Sequence, residues 1–299
     1  MSEDALRPET WDAYIGQEKM KTRLKQHIKA AVDRLQLVEH IFLAGPPGVG
    51  KTSISSLIAK ENHCHFESFI MPIGASNMMN AILCAEPCTV ILLDEIHRMP
   101  VKDQELLLPA LEDGYFQGAG GQSYNRRYIE NPVTIIGATT EQHKVIKPLR
   151  DRFHIKPPFE DYTDVEMGQI ITLMGRKIGI EFNSESALAL GRAAAGSPRG
   201  AKTLVLAARD CPDPQDVEFV LDLLGLSKQG LNVYHEKYLN VLFKSSSGKA
   251  GIKTLASSIQ MPEDSVKEME QVLVNLDFVE RTSSGRVLKQ LGYKYASSK

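Results

Sequence analysis

The apolar positions of this chain change their period twice, and each change marks a different kind of structure. Ile15, Met20, Leu24, Ile28 and Val32 recur at helical spacing, which predicts an amphipathic helix after an opening loop within residues 8–37. Short continuous apolar runs follow at residues 41–44, 89–93 and 134–138, separated by helical patterns at 52–60 and 102–112. Runs of this length without polar alternation predict strands buried on both faces, hence an α/β domain built on a parallel sheet with helices on both sides. Residues 113–132 break the alternation: Gly118, Gly120 and Gly121 with Tyr115, Phe116, Tyr124 and Tyr128 predict a protruding hairpin. Beyond Pro157 and Pro158 the pattern is wholly helical (165–174, 184–195, 198–208, 215–224), a small helical domain. After a linker at 225–231 come three short helical patterns (232–243, 252–259, 263–275). A strand, turn, strand signal then lies at 278–288 around Ser283-Ser284-Gly285, which together describe a winged helix. The predicted domains are residues 1–158, 159–229 and 230–299.

Composition narrows the class. The chain has 299 residues, of which 42% are hydrophobic, enough for two or three domains that each bury a core. The opening residues 1–10 are polar and charged, without a signal-peptide pattern, and no apolar run approaches the roughly 18 residues of a membrane span. A cytoplasmic location is therefore expected. Four cysteines, Cys64, Cys84, Cys88 and Cys211, are too few for a disulfide framework and read as small apolar residues of a reducing compartment. His63 and His65 lie near Cys84 and Cys88 in sequence, but the spacings do not suit zinc. A net charge of −2 leaves nucleic acid open, because a local patch decides. One such patch exists: Arg281, Arg286, Lys289, Lys294 and Lys299 run to the end of the chain without an acid among them.

The strongest chemical signal is Gly45-Pro46-Pro47-Gly48-Val49-Gly50-Lys51-Thr52, which fits G-x-x-x-x-G-K-[ST] between a predicted strand and a predicted helix. The fixed positions coincide by chance in roughly one 300-residue chain in a hundred, so nucleotide binding is the first reading. Glycines let successive backbone N–H groups converge on phosphate oxygens, and the following helix adds its positive end. Lys51 is then expected to reach the β- and γ-phosphates, with Thr52 on Mg²⁺.

Hydrolysis needs further parts, and candidates follow. The run at 89–93 ends in Asp94-Glu95, where Asp94 can hold Mg²⁺ and Glu95 can act as general base on the attacking water. Thr139 and Thr140 end the next run, a position from which a hydroxyl can orient that water or merely cap a helix. Arg150 and Arg152 would be surface charges in a lone domain, but in a ring one of them can reach a neighbour's γ-phosphate. Ser197-Pro198-Arg199 opens a helix in the helical domain.

Taken together, these residues resemble the RuvB family of AAA+ ATPases. The resemblance rests on Leu6-Arg7-Pro8, Tyr14-Ile15-Gly16-Gln17, the loop at 45–52 and Leu93-Asp94-Glu95-Ile96-His97-Arg98. It continues through Gly137-Ala138-Thr139-Thr140, Pro148-Leu149-Arg150-Asp151-Arg152-Phe153, Ser197-Pro198-Arg199 and the Arg281 to Arg286 stretch, so it covers nearly the whole chain in order. It implies an AAA+ P-loop domain, a small helical lid and a C-terminal winged helix, forming a homohexamer that uses ATP to drive branch migration of Holliday junctions on duplex DNA. It also implies that Arg7, Tyr14 and Ile15 lie at the nucleotide, with Tyr14 and Ile15 on adenine. Gly45, Gly48, Val49, Gly50, Lys51, Thr52 and Ser53 would cradle phosphate, with Thr52 and Asp94 on Mg²⁺ and Glu95 as the base. Thr140 would be the γ-phosphate sensor, Arg152 the finger reaching the next subunit, and Arg199 the lid sensor. Arg281, Arg286 and Lys289 would contact DNA.

The chain departs from the family at several points. The hairpin at 114–131 offers Gly118, Ala119, Gly120 and Gly121 where the family carries an aliphatic stripe that docks on RuvA, which argues against a RuvA contact. The wing has Ser283-Ser284 between its outer arginines, and residues 200–209 carry little of the family's basic charge. The same motifs up to about residue 230 also suit a clamp-loader-like AAA+ switch that recruits a protein partner to DNA. The winged helix and its basic tail favour DNA as the direct ligand.

Overall fold

The computed structural model describes residues 3–117, 126–245 and 247–298, and by its internal packing the chain forms two compact units. One comprises residues 8–46 and 50–160, the other 1–7, 47–49 and 161–299.

The first unit holds α1 (Glu18–Asp33), β1 (Ile41–Ala44), α2 (Lys51–Glu61), β2 (His65–Ile70), α3 (Ala75–Leu83) and β3 (Thr89–Asp94). After these come α4 (Val101–Asp113), β4 (Tyr115–Gln117), β5 (Arg126–Tyr128), β6 (Val133–Thr139) and α5 (Lys147–Arg152). Its sheet is parallel with order β1-β6-β3-β2, and a single parallel bridge from Ile41 to Ile155 extends it beyond β1. Alternate residues of the central strands enter two separate cores. Ile41, Leu43, Val90, Leu92, Ile136 and Ala138 pack with α1 and α2, while Phe42, Ile91, Leu93 and Ile135 pack with α3, α4 and α5. Both faces being covered is why these runs read as continuous apolar stretches. Burial pushes His40 down to about 4, so its ring is neutral and Nδ1 accepts the Ile135 N–H at 3.0 Å, tying the approach to β1 onto β6.

Three elements here were not anticipated, β2, α3 and the short α5. β2 is the edge strand, half-exposed with the sequence HFESFI, and its polar alternation hides it among loop residues. α3 fills the connection from β2 to β3. The parallel register His65↔Thr89 sets the residues just before both strands side by side, and Cys64 and Cys88 are disulfide-bonded there with Cα atoms 4.9 Å apart. This corrects the expectation that all four cysteines behave as isolated apolar residues; Cys84 and Cys211 are the free pair. The hairpin at 113–132 forms as β4 and β5, antiparallel, with Arg126 over the Tyr115 ring. Gly118 to Gly121 and Tyr124 lie outside the described residues.

In the second unit, α6 (Asp164–Lys177), α7 (Ser184–Ala193), α8 (Pro198–Arg209) and α9 (Val217–Leu223) form the helical part. Each begins at a side chain that takes an orphan N–H: Thr163 with Glu166 in a reciprocal box, then Asn183, Ser197 and Asp216. α6 and α7 approach closely at Gly168 and Gly191, where a Cβ on Gly191 would lie 2.6 Å from the Gly168 nitrogen. The winged part follows as α10 (Val233–Lys244), β7 (Lys249–Ala250), α11 (Ile252–Ile259), α12 (Glu263–Asn275), β8 (Val279–Thr282), β9 (Gly285–Leu288) and α13 (Gln290–Ser297). Its core is Leu231, Tyr238, Leu239, Leu242, Leu255, Ile259, Val266, Leu273 and Val279. The sheet has three strands in the order β7-β9-β8, one more than the sequence pattern indicates, because β7 is only two residues long; α13 is also additional.

Candidate functional site

The phosphate loop joins β1 to α2. Gly50 stands at φ 107°, a conformation that glycine adopts freely, and it sits against Tyr14, whose hydroxyl would be 2.6 Å from an added Cβ. Lys51 is buried, and its Nζ donates to the carbonyls of Gly45 at 2.9 Å and Pro46 at 3.0 Å, so the ammonium lies over the loop. A Cβ on Gly45 would meet the Phe159 ring at 3.0 Å.

β3 and β6 are neighbours, with Leu93 opposite Gly137, and their carboxyl ends deliver the remaining groups. Thr52 Oγ1 is 3.4 Å from Asp94 Oδ2. A hydroxyl beside a carboxylate is a hard-oxygen pair that suits Mg²⁺, which keeps several waters and phosphate ligands of its own. Glu95 adopts a left-handed conformation (φ 52°), and its Oε2 accepts from the Thr140 backbone N–H at 3.2 Å and the Thr140 hydroxyl at 3.0 Å. His97 enters the same cluster with Nδ1 3.1 Å from Glu95 Oε2 and Nε2 3.2 Å from Glu141 Oε2. Burial pushes the His97 ring below its ordinary value, against the pull of Glu95 and Glu141. Burial would raise Glu141, but the Lys144 ammonium at 2.8 Å holds it below the usual carboxylate range.

Five of the anticipated residues, Lys51, Thr52, Asp94, Glu95 and Thr140, therefore gather around one strand-end crevice, the place where open parallel sheets bind ligands. Ser53 follows on the first turn of α2. Ile15 lies beside buried Tyr14, whose carbonyl accepts from Lys21 Nζ at 2.7 Å. Arg152 ends α5 with its guanidinium on Glu112 at 2.7 Å, half-exposed. In the other unit, Val49 accepts from the Tyr162 hydroxyl at 3.2 Å, and a Cβ on Gly48 would be 3.0 Å from the Arg199 Cβ. Arg199 is exposed on the first turn of α8, and the Arg7 carbonyl accepts from Lys177.

Residues 6–158 match the family described as the Holliday junction DNA helicase RuvB P-loop domain, and residues 228–297 match the RuvB C-terminal winged helix domain. A curated relative from Fusobacterium nucleatum, the Holliday junction branch migration complex subunit RuvB, is 33% identical across 97% of this chain and 92% of its own length. The chain belongs to the RuvB family. The RuvB of Campylobacter fetus is 34% identical over 97% of this chain and 89% of its own. Among solved structures, the Thermotoga maritima RuvB Holliday junction branch migration motor superposes with a TM-score of 0.86 at 29% identity, covering 98% of each chain. A P-loop domain of the RuvB family binds nucleotide.

The RuvB winged helix brings a finding that the linear sequence hid. Arg281 and Arg286 both point at Glu270 of α12, which is fully buried. Arg281 Nε lies 2.6 Å from Oε1, Arg286 Nε 3.0 Å from Oε2, and the Tyr238 hydroxyl donates to Oε2 at 2.8 Å. Burial would raise the Glu270 carboxyl, but bonds from Arg286 and Tyr238 with the charge of both arginines hold it below the usual range. Arg286 is largely enclosed, whereas Arg281 keeps 43% of its side chain exposed. Lys289 pairs with Asp277. Sequence reasoning missed Glu270, Tyr238 and Glu141, and gave His97 no role of its own. A signal for Glu270 existed: it falls four residues after Val266 and three before Leu273, on the buried stripe of α12.

Proposed function

We propose that the chain is an ATP-driven motor of Holliday-junction branch migration, working as a cytoplasmic homohexamer that translocates duplex DNA. The observation that carries the reading is the meeting of Thr52, Asp94, Glu95 and Thr140 at adjacent strand ends behind the phosphate loop, in a chain that also ends in a winged helix. Gly45, Gly48, Val49, Gly50, Lys51, Thr52 and Ser53 cradle the phosphates, and Arg7, Tyr14 and Ile15 take the base end of the nucleotide. Thr52 and Asp94 hold Mg²⁺, which when bound offsets charge on the phosphate oxygens. Glu95 takes the proton of the attacking water, Thr140 reports the γ-phosphate, and Arg199 carries nucleotide state to the lid. Arg152 leaves Glu112 to reach the γ-phosphate of the next subunit. The hairpin at 114–131 lacks an aliphatic stripe in its sequence, so we place no RuvA contact there.

Two experiments test this. Arg152→Ala is expected to abolish ATP hydrolysis and spare ATP binding, and rings mixed from Arg152→Ala and Glu95→Gln subunits should recover turnover, because each supplies the group the other lacks. Full activity of Arg152→Ala alone would remove the trans assignment. On the wing, Arg281→Ala should weaken duplex binding and reduce the slope of log K against log salt by about 1, the signature of one lost phosphate contact. An unchanged slope would move the DNA surface elsewhere.

A further inference from the structure

The geometry points to a further residue on which hydrolysis depends: we propose that His97 is the positioning residue of the general base, fixing one oxygen of Glu95 so that the other is aimed at the attacking water. The inference rests on the reading of Glu95 as that base.

The contacts described for the Glu95 carboxylate all fall on one atom. Oε2 faces the Thr140 N–H at 3.2 Å, the Thr140 hydroxyl at 3.0 Å and His97 Nδ1 at 3.1 Å, and none of them engages Oε1. A carboxylate oxygen only accepts, so the contact with Glu95 requires a proton on Nδ1, and donation from Nε2 to Glu141 requires the doubly protonated ring. Thr140 approaches Oε2 from just beyond the end of β6, and His97 approaches it from the 3-10 turn Ile96–Arg98 that follows Glu95. Two supports from different elements remove the rotation that either one alone would leave.

The His97 ring is itself wedged in place. Its side chain is only 7% exposed, Nδ1 is 3.0 Å from Thr139 Oγ1, and Nε2 is 3.2 Å from Glu141 Oε2, which Lys144 anchors in turn at 2.8 Å. Thr139 also accepts the Glu141 N–H at 3.0 Å, so the end of β6 holds both ends of the ring. The enclosure excludes a role as a solvated surface charge. Nδ1 faces Glu95 and Nε2 faces Glu141, so the ring is placed between two carboxylates and its contact with Glu95 is that of a support. A group held this way transmits the position of β6 to Glu95, and small misplacement of a reacting group costs about 10²-fold in rate.

The test is steady-state ATP hydrolysis by the full chain, with nucleotide affinity and thermal midpoint measured on the same samples. His97→Ala should lower kcat by about 10- to 100-fold while KM for ATP and the nucleotide Kd stay within about twofold. His97→Asn, whose amide reaches the place of Nδ1, should restore most of the loss. His97→Gln, whose amide reaches the place of Nε2, should not. Wild-type kcat in His97→Ala would overturn the inference. So would an equal fall in all three variants accompanied by lost nucleotide affinity and a lower midpoint, the mark of a merely structural residue. Glu95→Gln with wild-type turnover would overturn the reading of Glu95, and the positioning role would fall with it; that outcome is distinguished by the residue at which activity persists.

Discussion

Glu270→Ala is expected to open the winged helix while leaving the first unit folded. The carboxylate is fully buried and satisfies Arg281, Arg286 and the Tyr238 hydroxyl at once. Removing it strands the largely enclosed Arg286 and the buried Tyr238 without their acceptor. Breaking a buried ion pair by deleting one partner costs about 3–5 kcal/mol. Part of that is recovered by Arg281, which can turn to water, so the lower end of the range applies. Hydrogen exchange across residues 263–288 of the full chain should accelerate by about 10²-fold, the factor that 3 kcal/mol sets. Trp11, the single tryptophan, lies in the first unit, so its fluorescence reports that unit and should barely change. Unaltered exchange in α12 and the wing would mean that the cluster contributes nothing to the fold. The same cluster sets a pH dependence. The folded carboxyl lies below the ordinary value of 4.5, so its contribution is complete above that value and is lost as pH falls through the folded one. Protection of the winged part should therefore fall as the wild type is acidified, whereas Glu270→Gln, which has no carboxylate to protonate, should start lower and show no such fall.

Glu95→Gln should reduce ATP turnover by about 10²- to 10⁴-fold, the range that a positioned general base supplies, with ATP affinity near wild type. The amide keeps the shape of the side chain and one oxygen for the bonds from Thr140, so binding and folding are spared while proton acceptance is removed. Turnover is read from phosphate release at saturating ATP, and affinity from a fluorescent nucleotide. A fall in affinity matching the fall in turnover would assign Glu95 to holding nucleotide and not to chemistry. Asp94 differs, because it faces Thr52 at 3.4 Å and belongs to the metal side of the crevice. Its replacement should weaken the Mg²⁺ dependence as well as the rate.

What the chain discloses before folding depends on the range of the interaction. The central strands and most helices follow from local patterning, because apolar runs covered on both faces and capped amphipathic helices announce themselves within a dozen residues. Thr163 with Glu166, Asn183 and Ser197 mark helix starts in the structure as their side-chain chemistry requires. β2 does not announce itself: at the sheet edge, Glu67 and Ser68 face solvent in part and only half the strand needs to be apolar. The pairing of Cys64 with Cys88 depends on the β2–β3 register and so inherits that blindness.

The site shows the same division. Phosphate loop, carboxylate pair, Thr140 and Arg152 are readable as types at positions, because each sits at the end of a run whose end can be seen. The bond from Thr140 to Glu95 spans 45 residues and exists because β6 inserts between β1 and β3, a strand order that periodicity does not encode. His97 was visible in its motif, yet its role emerges only once Thr139 and Glu141 arrive from β6. The two arginines of the wing are visible in the sequence, but the direction in which they point is decided by an acid on the preceding helix. Arg281 and Arg286 hold the wing together, and Arg281 alone has enough exposed surface to meet phosphate as well.

The most direct test of the central claim is the conversion of a synthetic four-way junction to its duplex products by the purified chain at low salt, followed on native gels with ATP and with a non-hydrolysable analogue. The account predicts conversion with ATP, none with the analogue, and none with Glu95→Gln, while all three conditions retain the junction in a protein complex. Vigorous ATP hydrolysis on bound junctions that remain intact would contradict it, and would indicate a chain that uses the nucleotide to hold a conformation on DNA and moves no strand.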